Sequence, residues 1–91
     1  MILDNIYNHY ENLVYEEIQR RLAAMKGGAF TDYALEDVAC LALNHLPARY
    51  VRHSVDIAFY LTPKEHADMD QLVLDAVAAA FDLVILHPHQ D

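Results

Sequence analysis

The sequence predicts a mainly α-helical domain of three helices, with one short strand between the second and third helices. Apolar residues recur every three or four positions in three separate segments, which is the period of a helix with one buried face. In one further segment they alternate with other residues at period two, which is the period of a strand. A chain of 91 residues has room for one domain, so we assign residues 1–91 to a single helical domain.

The first predicted helix extends from an N-cap at Asp4 to Lys26. The Asp4 carboxylate can accept a hydrogen bond from a free backbone N–H of the first helical turn. Gly27 and Gly28 follow Lys26 and can provide the left-handed C-cap that ends many helices. The expected buried face of this helix consists of Ile6, Tyr10, Leu13, Val14, Ile18, Leu22 and Met25.

The second predicted helix begins at a cap provided by Thr31 or Asp32. It ends before Pro47, because proline disfavours helical geometry in the residue that precedes it and cannot donate a backbone hydrogen bond. The expected buried face of this helix consists of Leu35, Val38, Leu41, Ala42 and Leu46.

The third predicted helix has the clearest start signal in the sequence. Thr62 at the N-cap, Pro63 at the first helical position and Glu65 at the third make a capping box with the preferred proline position. We expect this helix to end near Leu86, before His87 and Pro88. Its expected buried residues are Met69, Leu72, Val73, Ala76, Val77, Ala80, Phe81 and Val84.

The segment between the second and third helices predicts one strand, in which the alternating apolar residues are Val51, Val55, Ile57, Phe59 and Leu61. A single strand cannot satisfy its own backbone hydrogen bonds, and the sequence offers no second alternating segment. We therefore expect a two-fold homodimer in which residues near Ser54 to Leu61 pair antiparallel with a second copy.

The composition also favours self-association and narrows the choice of partners. Apolar residues make up 55% of the chain, which is more than a small monomer easily buries. The formal charge of −8 argues against binding to DNA or RNA, because phosphates repel an acidic surface. The longest uncharged apolar run, Ala76 to Phe81, is too short to be inserted in a membrane. The single cysteine, Cys40, fits a reducing compartment, so we expect a cytoplasmic protein.

The sequence offers few residues for catalysis or metal binding. Its one serine, Ser54, lacks a nucleophile-elbow glycine pattern, and the two adjacent glycines do not make a phosphate-binding loop. His66 and Asp70 stand four residues apart, and His87 and His89 flank a proline, but neither pair is a full ligand set. We therefore expect no enzymatic activity, no metal and no cofactor.

The junction between the second helix and the strand, NHLPARYVR, allows two interpretations. In the structural one, Asn44 bonds the local backbone, Pro47 sets the turn, Tyr50 packs, and Arg49 neutralises Glu36 or Asp37. In the functional one, arginine donors and a stacking ring suit a carboxylate, a phosphate or a nucleobase. The residues that we predict to bind a ligand or partner are Asn44, Arg49, Tyr50 and Arg52.

The fifteen residues 37–51, DVACLALNHLPARYV, resemble the signature of the late competence development ComFB family. In that signature an acidic helix start leads to ALALN, then LP, then a basic residue and a tyrosine. The positions that match it are Asp37, Leu41, Leu43, Asn44, Leu46, Pro47, Arg49, Tyr50 and Val51, of which we expect Asp37, Leu43, Leu46 and Pro47 to be structural.

This resemblance implies a small helical homodimer without enzymatic activity, associated with the regulation of competence and of surface lifestyle in bacteria. A regulatory or adaptor protein that binds an unknown protein partner is the first expectation. Some relatives are receptors for cyclic dinucleotides, so a receptor for cyclic di-GMP or cyclic di-AMP is the alternative. Some members have a cysteine cluster between the first two helices, whereas the equivalent stretch, GGAFTDYALED, has none, so we expect no zinc site of that type.

Overall fold

The computed structural model describes residues 1–25, 30–52 and 61–87. It confirms the predicted fold class, with three helices and a strand between the second and third of them. After a 3-10 turn at Ile2–Asn5, the elements in chain order are β1 (Ile6–Asn8), α1 (Tyr10–Ala24), α2 (Asp32–His45), β2 (Tyr50–Arg52) and α3 (Pro63–Leu86).

The core lies where the three helices meet, and most of the predicted buried faces are confirmed. Phe81 of α3 is at its centre, with the Phe30 ring edge-on at 5.2 Å between ring centroids and the Arg21 guanidinium 5.7 Å from the Phe81 centroid. Leu72, a predicted buried residue, is 45% exposed, and it lines an open cavity together with Tyr10 and Met69. The buried residues are Tyr10, Val14, Ile18, Val38, Ala42, Leu61, Met69, Val73, Val77, Ala80, Phe81 and Val84.

The predicted start of the first helix at Asp4 is wrong. α1 begins at Tyr10, and the residues before it form the 3-10 turn and β1. Asp4 accepts a hydrogen bond from the N-terminal amine at 3.0 Å instead of capping a helix. The reason is that Ile6–Asn8 bond to another strand, which requires an extended backbone. α1 ends at Ala24 with Met25 as its C-cap, which is two residues before the predicted end at Lys26. The predicted cap residues Gly27 and Gly28 lie outside the described residues.

The prediction that the strand has no partner within its own chain is also wrong. β1 and β2 form a two-stranded antiparallel sheet in which Ile6 faces Arg52, Tyr7 faces Val51 and Asn8 faces Tyr50. β1 is too short to show a period-two pattern, so no local signal indicates it. The proposed pairing of residues 54–60 with a second copy lies outside the described residues, whereas Leu61 is buried in the core.

The predicted boundaries of the second and third helices are confirmed. The Thr31 hydroxyl accepts from the Ala34 N–H at 3.1 Å, and Leu46 is extended before Pro47, with φ −101° and ψ 145°. α3 begins with the predicted capping box. Among the residues that the structure describes, no helix is both long enough and apolar enough to cross a membrane.

Candidate functional site

The junction singled out by the sequence is tied to the N-terminal part of the chain by the side chain of Asn8. Its Oδ1 accepts from the Tyr10 N–H at 3.2 Å and from the Arg49 N–H at 3.0 Å. The His9 N–H donates to the Arg49 carbonyl oxygen at 2.7 Å. The two bonds to Arg49 hold the backbone just before β2 against the start of α1, and the bond to Tyr10 is local.

α2 ends at this junction with a backbone hydrogen bond that spans three residues instead of four. The Leu46 N–H donates to the Leu43 carbonyl oxygen at 3.3 Å, and the His45 ring Nδ1 lies 3.0 Å from the Leu41 carbonyl oxygen. The Leu43 carbonyl is one of the last four of the helix, which have no helical partner, so the Leu46 N–H satisfies it. Pro47 then follows as an exposed residue, and β2 begins three residues later at Tyr50.

The four residues predicted to bind a ligand or partner are all exposed, but they do not form one site. Tyr50 and Arg52 lie on the same face of β2, and the half-buried Val51 between them faces the other way. Tyr50 is 64% exposed, so the interpretation that it packs is wrong. The Asn44 side chain makes no hydrogen bond to any described residue, so the predicted bond to local backbone is not formed there.

Arg49 faces a different surface from Tyr50 and Arg52. It lines an open cavity of about 260 Å³ together with Tyr10, Glu65 and Asp68, and neither Tyr50 nor Arg52 lines that cavity. In the described part of the chain Arg49 forms no ion pair with Glu36 or Asp37, so the predicted neutralisation is wrong. An anion in this cavity would meet two carboxylates beside one guanidinium, which argues against a phosphate there.

His9 is the most perturbed histidine at the junction. Burial lowers its pKa below the ordinary 6.5, and the nearby positive charges of His66 and Arg49 lower it further, while Glu16 and Asp70 raise it. Its Nδ1 is buried and has no hydrogen-bond partner among the described residues. Burial likewise raises the pKa of the Tyr10 hydroxyl above 10.0. The junction therefore favours a neutral imidazole at His9 near neutral pH.

The residues predicted to be structural behave differently from one another. Leu43 and Leu46 are half-buried and pack against the core. Asp37 is half-buried and lines a cavity of about 380 Å³ with Cys40 and the end of α3. Pro47 is exposed and acts through the backbone of the turn. The helical half of the motif thus contributes mainly to packing.

The histidine pairs considered as metal ligands remain incomplete within the described ranges. No three histidine, cysteine, aspartate or glutamate side chains there come together in a way that could hold a metal ion. His66 and Asp70 lie on α3 near His9, where His66 lowers the pKa of His9 and Asp70 raises it. His87 is exposed at the end of α3, and His89 lies outside the described residues.

Sequence reasoning missed Asn8 and His9, although one signal for Asn8 was available. An asparagine two residues before the first residue of a helix often accepts from the backbone two positions on, as Asn8 does from Tyr10. Nothing local indicates its second bond, to Arg49. The junction as a whole can present Tyr50 and Arg52 to a partner while Asn8 fixes the backbone behind them.

Among the comparisons with known proteins, one gives a match. No curated protein and no solved structure is similar enough to this chain to count as a match. The family model described as late competence development protein ComFB matches residues 7–88, which is nearly the whole chain. This match confirms the resemblance that residues 37–51 carry and extends it to all three helices, β2 and the last two residues of β1, so the chain belongs to the ComFB family of late competence development proteins.

Proposed function

We propose that the protein is a cytoplasmic, non-enzymatic regulatory or adaptor protein that forms a homodimer and acts by binding another protein. Membership of the ComFB family supports the regulatory role, since that family is described by its part in late competence development. The observation that carries the homodimer is a largely exposed apolar strip along α3. We call this set of residues the α3 strip, and it consists of Leu72, Ala76, Ala79, Leu83 and Leu86.

The α3 strip has the spacing of a helix that packs against another helix. Its residues follow one another at intervals of four, three, four and three, which is the heptad pattern of a coiled-coil seam. Leu83 and Leu86 are 42% and 71% exposed, whereas Ala76 is half-buried and packs against the core. The core side of α3 is occupied by other residues, among them Val73, Val77 and Phe81.

A second copy of α3 suits this strip in shape and symmetry. The two alanines at its centre are small enough to let two helix backbones approach closely, and the leucines at its ends supply apolar area. A two-fold axis brings the same strip from each copy together, as in most homodimers. One edge of the strip is marked by acids at intervals of seven, Asp68, Asp75 and Asp82, which keeps that boundary in water.

The absence of catalysis is part of the proposal and is supported by the residues themselves. The chain has one serine and one cysteine, and Cys40 is exposed on α2 without a described hydrogen-bond partner that could activate it. A protein with these residues is better suited to binding than to covalent chemistry. The single cysteine also fits the reducing environment of the cytoplasm.

The dimer can be tested with two substitutions of matched exposure on opposite sides of α3. Leu83, in the strip, is 42% exposed, and Leu74, outside it, is 40% exposed. The two leucines are nine positions apart in the helix, which places their side chains on opposite sides of it. Light scattering coupled to size exclusion should give a dimer for the wild type and for Leu74→Glu, and a monomer for Leu83→Glu.

Circular dichroism should give the same helix content for both variants, since both positions are exposed. A wild-type monomer at micromolar concentration contradicts the homodimer. A Leu83→Glu protein that remains dimeric contradicts the α3 strip as its interface.

A second candidate function, a receptor for a cyclic dinucleotide, is favoured by the exposed face of β2. Tyr50 offers a ring on which a base can stack, and Arg52 on the same face offers bidentate donors to a phosphate. Isothermal calorimetry with cyclic di-GMP and cyclic di-AMP tests this candidate. A receptor should lose the heat of binding in Tyr50→Ala and Arg52→Ala and keep most of it in Arg49→Ala, which lies on another surface. No heat from either nucleotide removes this candidate.

A further inference from the structure

A groove between α1 and α2 is separate from both the β2 face and the α3 strip. It has a volume of about 330 Å³. Its floor is apolar and belongs to the core, since Val14 and Ile18 are buried and Leu35 and Ala39 pack against them. The exposed residues that line it stand around this floor, and they include Tyr15, which is 64% exposed.

Each helix lines the groove with a single face. The α1 residues Val14, Tyr15 and Ile18 are close together on one side of the helix, as are Asp32, Leu35 and Glu36 of α2, so the groove follows both helices along their length. Along α2 it extends from Asp32 to Leu43, which is roughly 16 Å, or about three helical turns. A groove of this length accommodates a short helix better than a small compact ligand.

The charged residues that line this groove all have the same sign. Glu11, Asp32 and Glu36 are exposed there, and no lysine, arginine or histidine lines the groove. The other large cavities in the described part of the chain differ in this respect, because Arg49 lines one of them and His87 lines another. We call this surface, defined by its apolar floor and its three carboxylates, the acidic groove.

We propose that the acidic groove binds a basic amphipathic helix of a partner protein. The inference rests on the proposed function as a protein-binding regulator and names the chemistry of the partner. Apolar side chains of such a helix would cover Leu35 and Ala39, and its lysines or arginines would pair with Glu11 and Glu36. Tyr15 can pack along the aliphatic stem of one of these cations.

The charge of the acidic groove favours a basic helix over a second copy of the chain and over a polyanion such as a nucleic acid or a lipid surface. A second copy of the chain has a net charge of −8, and the exposed side of its helix α3 carries aspartates, so it would be repelled by three more carboxylates. A nucleic acid or an anionic lipid surface would be repelled for the same reason. A cationic helix is attracted, and it also removes the apolar floor from water.

The experiment uses a fluorescein-labelled peptide of about 14 residues, built from leucine and lysine with leucines at helical spacing. Fluorescence anisotropy at about 0.15 M salt should record its binding to the full chain. A matched peptide with glutamate at every lysine position should not bind. This comparison separates charge complementarity from general hydrophobic contact.

A matched pair of double variants separates the groove from the overall acidity of the protein. Glu11→Gln/Glu36→Gln and Asp75→Asn/Asp82→Asn change the net charge by the same amount, but only the first pair lies in the groove. The groove variant should bind the leucine–lysine peptide about five-fold more weakly, and the α3 variant should bind it within about 1.5-fold of wild type. Tyr15→Ser should weaken binding by about three-fold.

Equal weakening by the two double variants, or no binding of the leucine–lysine peptide, overturns the inference. These results are independent of the dimer test, because Leu83→Glu leaves the acidic groove intact. A monomeric Leu83→Glu protein that still binds the peptide supports both proposals. A wild-type protein that is dimeric but does not bind the peptide overturns only the proposed role of the acidic groove. A wild-type protein that is monomeric but binds the peptide overturns only the homodimer.

Discussion

Helices α1 and α3 begin in different ways. At the start of α3, the Thr62 hydroxyl accepts from the Glu65 N–H at 3.1 Å, and the Glu65 carboxylate accepts from the Thr62 N–H at 3.2 Å. Both partners lie within one turn. At the start of α1, the Asn8 amide oxygen accepts from Tyr10 two residues away and from Arg49, which is 41 residues away.

The start of α3 is stabilised by local residues alone, whereas the start of α1 also bonds to a segment that is distant in sequence. The capping box of α3 depends only on residues within one turn, because its partners are held close by the helix itself. The Asn8 bond to Tyr10 is also local, but its bond to Arg49 forms only when β1 and β2 are side by side. A change at Asn8 should therefore affect both α1 and the junction before β2.

The largest effect is expected from Asn8→Ala, which removes the acceptor for two backbone donors. Two lost hydrogen bonds should lower the free energy of unfolding by about 2 kcal/mol, measured by urea denaturation. Hydrogen exchange should become faster at the Arg49 N–H, because its partner is lost, and stay unchanged at the Glu65 N–H of α3. Asn8→Asp keeps the acceptor oxygen and should retain most of the stability. An equal loss in both variants contradicts the role of Oδ1.

A smaller effect is expected from Thr62→Ala, which removes one acceptor at the start of α3. The free energy of unfolding should fall by about 1 kcal/mol, the usual cost of losing a threonine N-cap. Faster hydrogen exchange should be confined to the first turn of α3, while Arg49 keeps its wild-type rate. Thr62→Ser retains the hydroxyl and serves as the control. If Thr62→Ala were more destabilising than Asn8→Ala, the distinction between the two helix starts would be wrong.

The smallest effect concerns the pH dependence of the junction through His9. Because its pKa in the folded protein is lower than the ordinary 6.5, the unfolded chain binds the proton more readily. This part of the stability is complete above 6.5 and is lost as the pH falls from 6.5 through the lowered pKa. Urea denaturation at about pH 7.5 and about pH 5.5 should give a smaller difference for His9→Gln than for the wild type.

Nuclear magnetic resonance titration of His9 provides the direct measurement for the same prediction. In His66→Gln the pKa of His9 should rise only part of the way towards 6.5, because burial, the larger cause, remains. A His9 pKa at or above 6.5 in the wild type would contradict the burial of its ring at this junction.

The candidate binding residues illustrate how much of a site the sequence can predict. Tyr50 and Arg52 are two positions apart in a strand, so their shared exposed face follows from the local alternation. Arg49 is their neighbour in sequence but lines a cavity with Tyr10 and Asp68, which come from other elements. We therefore predicted one site from three residues that are close in sequence, whereas the fold places Arg49 at the cavity and Tyr50 and Arg52 on the exposed face of β2.

The sequence by itself determined the three helices, the caps of α2 and α3, most of the buried faces and the family. These features depend on residues within about one or two helical turns of each other, or on the motif at residues 37–51. Tertiary structure alone decided the existence of β1, the late start of α1 and the exposure of Leu72. β1 is stabilised by its hydrogen bonds to β2. The burial of α3 residues depends on which side of α3 packs against α1 and α2. Both outcomes are set by contacts between segments that are distant in sequence, which is the physical reason why local patterns do not predict them.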